Sequence, residues 1–401
     1  MRISVVRLAK RVAQALLYIP LRLLFLLKPH SQRVADPKRI LLLNGAHFGD
    51  LVISSSLLPV LQSAYPGAEI GLVCGSWARE VLRGHPLVAH SHVVDHWRLN
   101  RSGAGILRKL LQYWKTRSVA LREIRALQYD MAICLHGWYP DMANLAWSAA
   151  IPVRSAFANS LWARLATVTA RHPGDEEPFV MQGICLTALL RAIGVGEEHI
   201  RLRHASLPPS GRQATEEVSR LLDGAAPGEM PYSIIHMGSG VPAKELPVSF
   251  WRTIAEGISG SQRVLFTGAG AREIGRIREI LKELVGLPGG LEDRIVDAGG
   301  KLSWGGFVAA VRHAEAVYGL DSAAAHVAAA VGTPCFAVYS GIGLVGRWRP
   351  DGPSVLVWNT PVPCSPCHLP NGCAAMSCMK GVTPQDLLAI DLKPQHSKQY
   401  I

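Results

Sequence analysis

The sequence lacks the signatures of most catalytic classes. Over 401 residues there is no complete Walker motif, no HExxH, no GxSxG, and no GxGxxG after the first apolar strand, so kinase, zincin and hydrolase readings have no support. Zinc-finger spacing, an RNA-binding aromatic motif and a long Lys/Arg tail are also missing, which argues against a nucleic-acid partner. Long apolar runs are scarce. The opening stretch MRISVVRLAKRVAQALLYIPLRLLFLLKPH is interrupted at Pro20 and Arg22, short of what a bilayer crossing needs, and no small-x-small cleavage site follows before Asp36. For residues 1–38 the expectation is a basic amphipathic helix lying on an anionic membrane surface; a tail packed on the protein, or a true signal or span, are the alternatives. A disulfide framework is equally unsupported, since Cys74, Cys134, Cys185 and Cys335 stand alone in apolar segments where a thiol behaves as a small hydrophobe. A reducing, cytoplasmic setting is therefore expected.

What is present is a globular chain, 49% hydrophobic and 18% charged, with enough apolar material for two cores. Its net charge of +12 is unevenly placed: Met1 to Lys38 holds eight Lys/Arg against Asp36 alone, and Trp97 to Leu127 holds eight against Glu123 alone. Such clustering points to an anionic partner, phospholipid or a phosphorylated substrate. Within Ile106 to Leu127, residues Leu107, Leu110, Leu111, Trp114, Leu121 and Ile124 fall near one side and basic residues elsewhere. This reads either as an ordinary solvated helix or as a surface meeting anionic lipid or a phosphorylated glycolipid.

Apolar strands alternate with helical stretches twice. The first round has strands at Ile40 to Leu43, Ile70 to Cys74, His92 to Asp95 and Met131 to Leu135. The second has them at Tyr232 to Met237, Arg263 to Thr267, Ile295 to Asp297, Ala316 to Gly319 and Cys335 to Tyr339. Repeated βα units imply parallel sheets. The organisation expected is an extension over 1–38, an α/β domain over 39–205, a turn-rich linker over 206–230, and a second α/β domain over 231–392 with a Cys-rich loop at 363–379. Two doubly wound domains leave a cleft between facing sheet edges, suited to a ligand with two ends.

Several motifs lie at strand exits. Asp50 follows Gly49 where the first strand gives way to a helix read over Leu51 to Ala64; it is either an N-cap or a carboxylate held at the reactive edge of the sheet. In IIHMGSGVPAKELP, Gly238, Ser239 and Gly240 follow a strand with Lys244 close behind, and VLFTGAGARE repeats the pattern with Gly268 and Gly270. Such turns admit phosphate oxygens to backbone N–H groups, and a lysine adds the countercharge. In VYGLDSAAAHVAAAVGTP, Asp321 and Ser322 are expected to cap the helix Ala323 to Val331, with His326 on its second turn. Its N-terminus is suited to an anion, although a core histidine and a plain cap are the bland alternative. Cys364, Cys367, Cys373 and Cys378 crowd one short loop and could form a tetrathiolate site for zinc or iron, remain free thiols, or pair as disulfides.

Together these motifs resemble the glycosyltransferase family 9 heptosyltransferases, the group containing the ADP-heptose:lipopolysaccharide heptosyltransferases. The resemblance runs from about Arg39 to Leu388 and rests on Gly49-Asp50 with LLPVLQSAYPGAEIGLV, on HMGSGVPAKELP, on DSAAAHVAAAVGTP and on the Cys364–Cys367 CSPC. It implies a GT-B fold of two Rossmann-like domains. It further implies inverting, metal-independent transfer of a heptose-like sugar from a nucleotide-diphosphate sugar to a lipopolysaccharide core or related glycan, at the cytoplasmic face of the inner membrane. Under it Asp50 is the general base and Lys244 neutralises the diphosphate. The turns at Gly238, Ser239, Gly240, Gly268 and Gly270, with Asp321, Ser322 and His326, bind the donor. No cofactor is implied beyond a possible structural Zn or Fe at the cysteines. Ala323 and Ala324 stand where the family has Gly-Pro; a non-catalytic binder of the same fold, or a protein-modifying transferase, are the alternatives.

Overall fold

The computed structural model describes residues 36–136, 141–159, 163–260, 262–284, 291–369 and 371–389. The expected basic helix over residues 1–38 lies outside these, apart from 36–38. Twelve strands form two six-stranded parallel sheets. The first contains β1 (Arg39–Leu43), β2 (Glu69–Cys74), β3 (His90–Val93), β4 (Met131–Cys134), β5 (Val153–Phe157) and β6 (Val168–Ala170), in the order β3-β2-β1-β4-β5-β6. The second contains β7 (Tyr232–His236), β8 (Arg263–Phe266), β9 (Ile295–Asp297), β10 (Val317–Leu320), β11 (Cys335–Tyr339) and β12 (Val355–Asn359), in the order β12-β11-β10-β7-β8-β9.

Central strands are buried on both faces, so they read as apolar runs: Ile40, Leu41, Leu42 and Leu43 are all buried, as are Tyr232, Ile234 and Ile235. Both sheets reverse winding next to their first strand, between β1 and β4 and between β7 and β10. Crevices at such reversals, outside the carboxyl ends of the strands, are where open α/β sheets bind ligands.

Three strands, β5, β6 and β12, are absent from the sequence reading. β5 contains Arg154, a residue that speaks against a buried strand; here its guanidinium donates to the carbonyls of Leu165 (2.7 Å) and Ile151, so the charge is buried with partners. The helix expected over Leu51 to Ala64 is two, Phe48–Ser55 and Leu58–Ala64, because Pro59 has no N–H to continue the first and sits well in the opening turn of the second. The stretch read as a linker is firmly tied: Ser206 N donates to Ser55 Oγ (2.9 Å), and helix Arg212–Leu221 holds Glu217 so that its carboxylate accepts from Ser303 N and Oγ, each at 2.8 Å. Arg203 and Asp351 (2.6 Å) add an ion pair between the two halves of the chain.

Helix Ile106–Leu127 packs through Tyr113, Ala120 and Ile124. Leu107, Leu111 and Trp114 face solvent, at 74%, 72% and 57% exposure. Among the described residues no helix is long and apolar enough to cross a membrane.

Candidate active site

Four strand exits flanking the two winding reversals deliver the site. β1 leads into the turn Asn44 to Asp50, β4 into His136, β7 into Gly238 to Gly240, and β10 into Asp321 and Ser322. They border a cleft of about 950 Å³ whose walls come from both halves of the chain.

On the first wall the turn is pinned by buried Asn44, whose Oδ1 accepts from Ala46 N (3.0 Å) and whose Nδ2 donates to Ser54 Oγ (2.7 Å). Trp77 Nε1 donates to Ala46 O (2.8 Å). The N-cap of helix Phe48–Ser55 is His47, not Asp50. Asp50 sits one turn in, and its Oδ2 accepts from the His47 N–H at 3.2 Å, the backward half of a capping box. Its other oxygen, Oδ1, lies 3.7 Å from Nε2 of His136. One oxygen of Asp50 thus serves the capping box, and the residue also borders the cleft. Burial opposes ionisation of Asp50, but the neighbouring His136 imidazole, with the His47 N–H, outweighs it and holds the carboxyl below its ordinary value. Burial, reinforced by the Arg101 guanidinium, pushes His47 down to about 4.

On the second wall Gly238, Ser239, Gly240, Lys244 and Gly268 all border the cleft, as do Asp321, Ser322 and His326. Gly270 does not; it is exposed, with φ +84°, at the start of helix Ala271–Leu284. The turns are not empty cradles. Ser239 N donates to Glu245 Oε1 (3.2 Å) and Ala269 N to Glu273 Oε2 (2.7 Å), and a Cβ at Gly238 would collide with the Glu273 carboxylate. Lys244 is ion-paired with Asp321, both side chains being mostly buried. Asp321 is thus a partner of the lysine rather than a cap. Ser322 holds the N-cap position of helix Ala323–Val331 and the residue borders the cleft, yet its hydroxyl makes no cap bond: Oγ is buried, with no partner among the described residues.

The walls meet at His326 and Gly49. A Cβ at Gly49 would stand 3.2 Å from His326 Cδ2, so the missing side chain lets the Phe48 and Ala323 helices approach. His326 is buried; that burial lowers its pKa, while Asp321 and Asp50 both pull it upward without prevailing, leaving a neutral ring within reach of the two carboxylates. Phe48 and Trp304 close the gap elsewhere, with ring centroids 5.0 Å apart.

The Cys-rich loop does not match the expected tetrathiolate. Cys364 and Cys373 are exposed, whereas Cys378 is packed with Met379 and Leu387 in the core of the second half. Among the described residues no group of three or more His, Cys, Asp or Glu side chains is placed to hold a metal ion. The sequence reading also missed His136, two residues beyond β4, although the strand-exit rule that picked out Asp50 applies equally there. It missed His47 and Arg101, because neither lies in a recognisable motif, and the glutamates filling the turns.

The sequence matches glycosyltransferase family 9 (heptosyltransferase) over residues 117–372. No curated protein matches it. Solved structures share its fold: a family 9 glycosyl transferase from Veillonella parvula (19% identity, TM-score 0.66, covering 82% of this chain and 88% of that one), Escherichia coli ADP-heptose lps heptosyltransferase II (20%, 0.69, 88% and 96%), and E. coli heptosyltransferase WaaC with ADP (16%, 0.62, 87% and 97%). At these identities the likeness concerns the fold, which is GT-B.

Proposed function

The chain belongs to glycosyltransferase family 9, and we propose that it transfers a heptose-like sugar, with inversion, from a nucleotide-diphosphate donor to a lipopolysaccharide core or related surface glycan. ADP-heptose is the donor we favour, since the similar WaaC structure contains ADP. The observation that carries this reading is that Asp50 lines one wall of the cleft while Lys244 and Ser322 line the other.

Inverting displacement requires one base at the acceptor hydroxyl and stabilisation of a leaving diphosphate whose charge grows in the transition state. Asp50, kept ionised, takes the acceptor proton. Residues 39–205 form the acceptor-binding domain and 231–392 the donor-binding domain. Lys244 carries three N–H donors, so it can hold Asp321 and a phosphate oxygen together. Ser322 and the N-terminus of the Ala323 helix supply further donors, and these groups do the work of a metal. His326 supports this edge as a neutral ring.

The acceptor is lipid-linked in this reading, and the enzyme works at the cytoplasmic face of the inner membrane. Support comes from the exposed Leu107, Leu111 and Trp114 on a helix that also carries six basic residues. Arg108, Lys109 and Gln112 of the same helix border a cavity of about 700 Å³ that shares His47, Phe48 and Arg101 with the main cleft.

The test is nucleotide release by purified protein offered ADP-, GDP-, UDP- and dTDP-sugars with lipopolysaccharide core acceptors. Acceptor-dependent release of ADP alone supports the proposal. Release restricted to another nucleotide would overturn the donor assignment, and no release with any pair would overturn the reading.

A further inference from the structure

The cations of the donor wall are already engaged. Lys244, which borders the cleft, is paired with Asp321, and behind the wall Arg272 (2.9 Å) and Arg276 (2.7 Å) both grip Glu245. Their charge is substantially offset before any ligand arrives. Arg101 differs. It belongs to the opposite half of the chain, it makes no ion pair among the described residues, and it borders both the main cleft and the adjoining cavity.

Its guanidinium nevertheless spans the cleft. A Cβ at Gly240 would collide with Arg101 Nη1, so the tip of the side chain rests against the backbone of the Gly238 to Gly240 turn. That turn is linked directly to the β10 exit, where Ser239 Oγ donates to Asp321 O (3.3 Å) beside the unpartnered Ser322 hydroxyl. An uncommitted guanidinium placed here faces the same space as Ser322 and Lys244.

We propose that Arg101 is the diphosphate-binding cation contributed by the acceptor wall. The inference rests on the nucleotide-diphosphate reading of this cleft and adds the residue that reading lacked. Arginine suits the role because its planar fork pairs with two phosphate oxygens at once and stays charged at any working pH. Its location adds a second effect. A donor diphosphate held by Ser322 and Lys244 on one wall and by Arg101 on the other is gripped from both sides, in the cleft that Asp50 also borders. A side chain at 240 would have to push the flexible guanidinium aside, so the tip of Arg101 would leave its present place.

The experiment is calorimetric titration of the full chain with adenosine, AMP and ADP, for the wild type, Arg101→Gln, Arg101→Lys and Gly240→Ala. Arg101→Gln is expected to weaken ADP about tenfold or more while leaving adenosine unchanged, with lysine restoring part of the loss. Gly240→Ala is expected to weaken ADP likewise, and to add little once Arg101 is already glutamine. If the wild type prefers ADP to AMP and Arg101→Gln retains that preference, Arg101 does not bind the diphosphate. If the wild type binds no ADP at all, the nucleotide reading falls and the assignment of Arg101 falls with it.

Discussion

His136 Nε2 stands 3.7 Å from Asp50 Oδ1, the two residues following neighbouring parallel strands where the first sheet reverses its winding. The imidazole favours the ionised carboxyl and so helps set the pH at which Asp50 can accept a proton. Replacing His136 by Gln removes that support. The acid limb of the kcat/KM profile should then move to higher pH, with kcat on the plateau less affected. An unmoved limb would mean that His136 does not tune Asp50.

Asp50→Asn preserves the shape of the side chain and an oxygen able to accept from the His47 N–H. Stability should change little, while transfer should fall on the order of a hundredfold or more, the scale expected for loss of a general base. Near-normal turnover in this variant would assign Asp50 to capping alone.

Ser322→Ala separates a ligand contact from a structural one. The hydroxyl has no partner among the described residues, so its removal should leave the melting temperature unchanged or slightly raised. Donor affinity should drop roughly fivefold, the equivalent of about 1 kcal/mol for a hydrogen bond. A destabilised protein with normal donor affinity would contradict this.

Stability should decline as pH falls from 6.5 towards 4. Histidine ordinarily titrates near 6.5, but in the fold His47 resists protonation until about 4, and burial lowers His236 and His326 as well. Within that window the unfolded chain binds protons that the folded chain refuses, so unfolding gains. Asp50, with its pKa held below its ordinary 3.8, adds its own loss only under that pH. Melting temperatures recorded across this range, flat down to pH 4, would contradict the assignment of these rings as neutral.

Substituting Gln for Leu107, Leu111 and Trp114 together should leave stability intact, because all three are exposed. Flotation with vesicles rich in anionic lipid should weaken, and more so at raised salt. Equal flotation of variant and wild type would remove this helix from the membrane reading.

Much of the fold was legible because parallel strands buried on both faces must be apolar, as RILLL and YSIIH are. β5 was hidden by Arg154, whose burial depends on carbonyls supplied by the segment between it and β6 and on its own strand entry. Asp50, Ser239, Lys244 and Ser322 could be picked out because strand exits followed by glycine or a helix start mark where ligands approach. Their pairings could not. Lys244 meets Asp321 from 77 positions away, and Glu273 fills the Gly238 turn from another helix; spacing carries no record of either. The four thiols could not be resolved from spacing alone, since Cys378 is drawn into the core while Cys364 and Cys373 stay exposed.

The tilted contact of Phe48 with Trp304 gives the molecule a built-in optical gauge. Because the indole belongs to one half of the chain and its aromatic neighbour to the other, any widening of the gap rehydrates a fluorophore already positioned to sense it. Opening and shutting can therefore be read as the difference in emission colour between the protein and its Trp304→Phe variant, the other nine of the ten tryptophans being common to both.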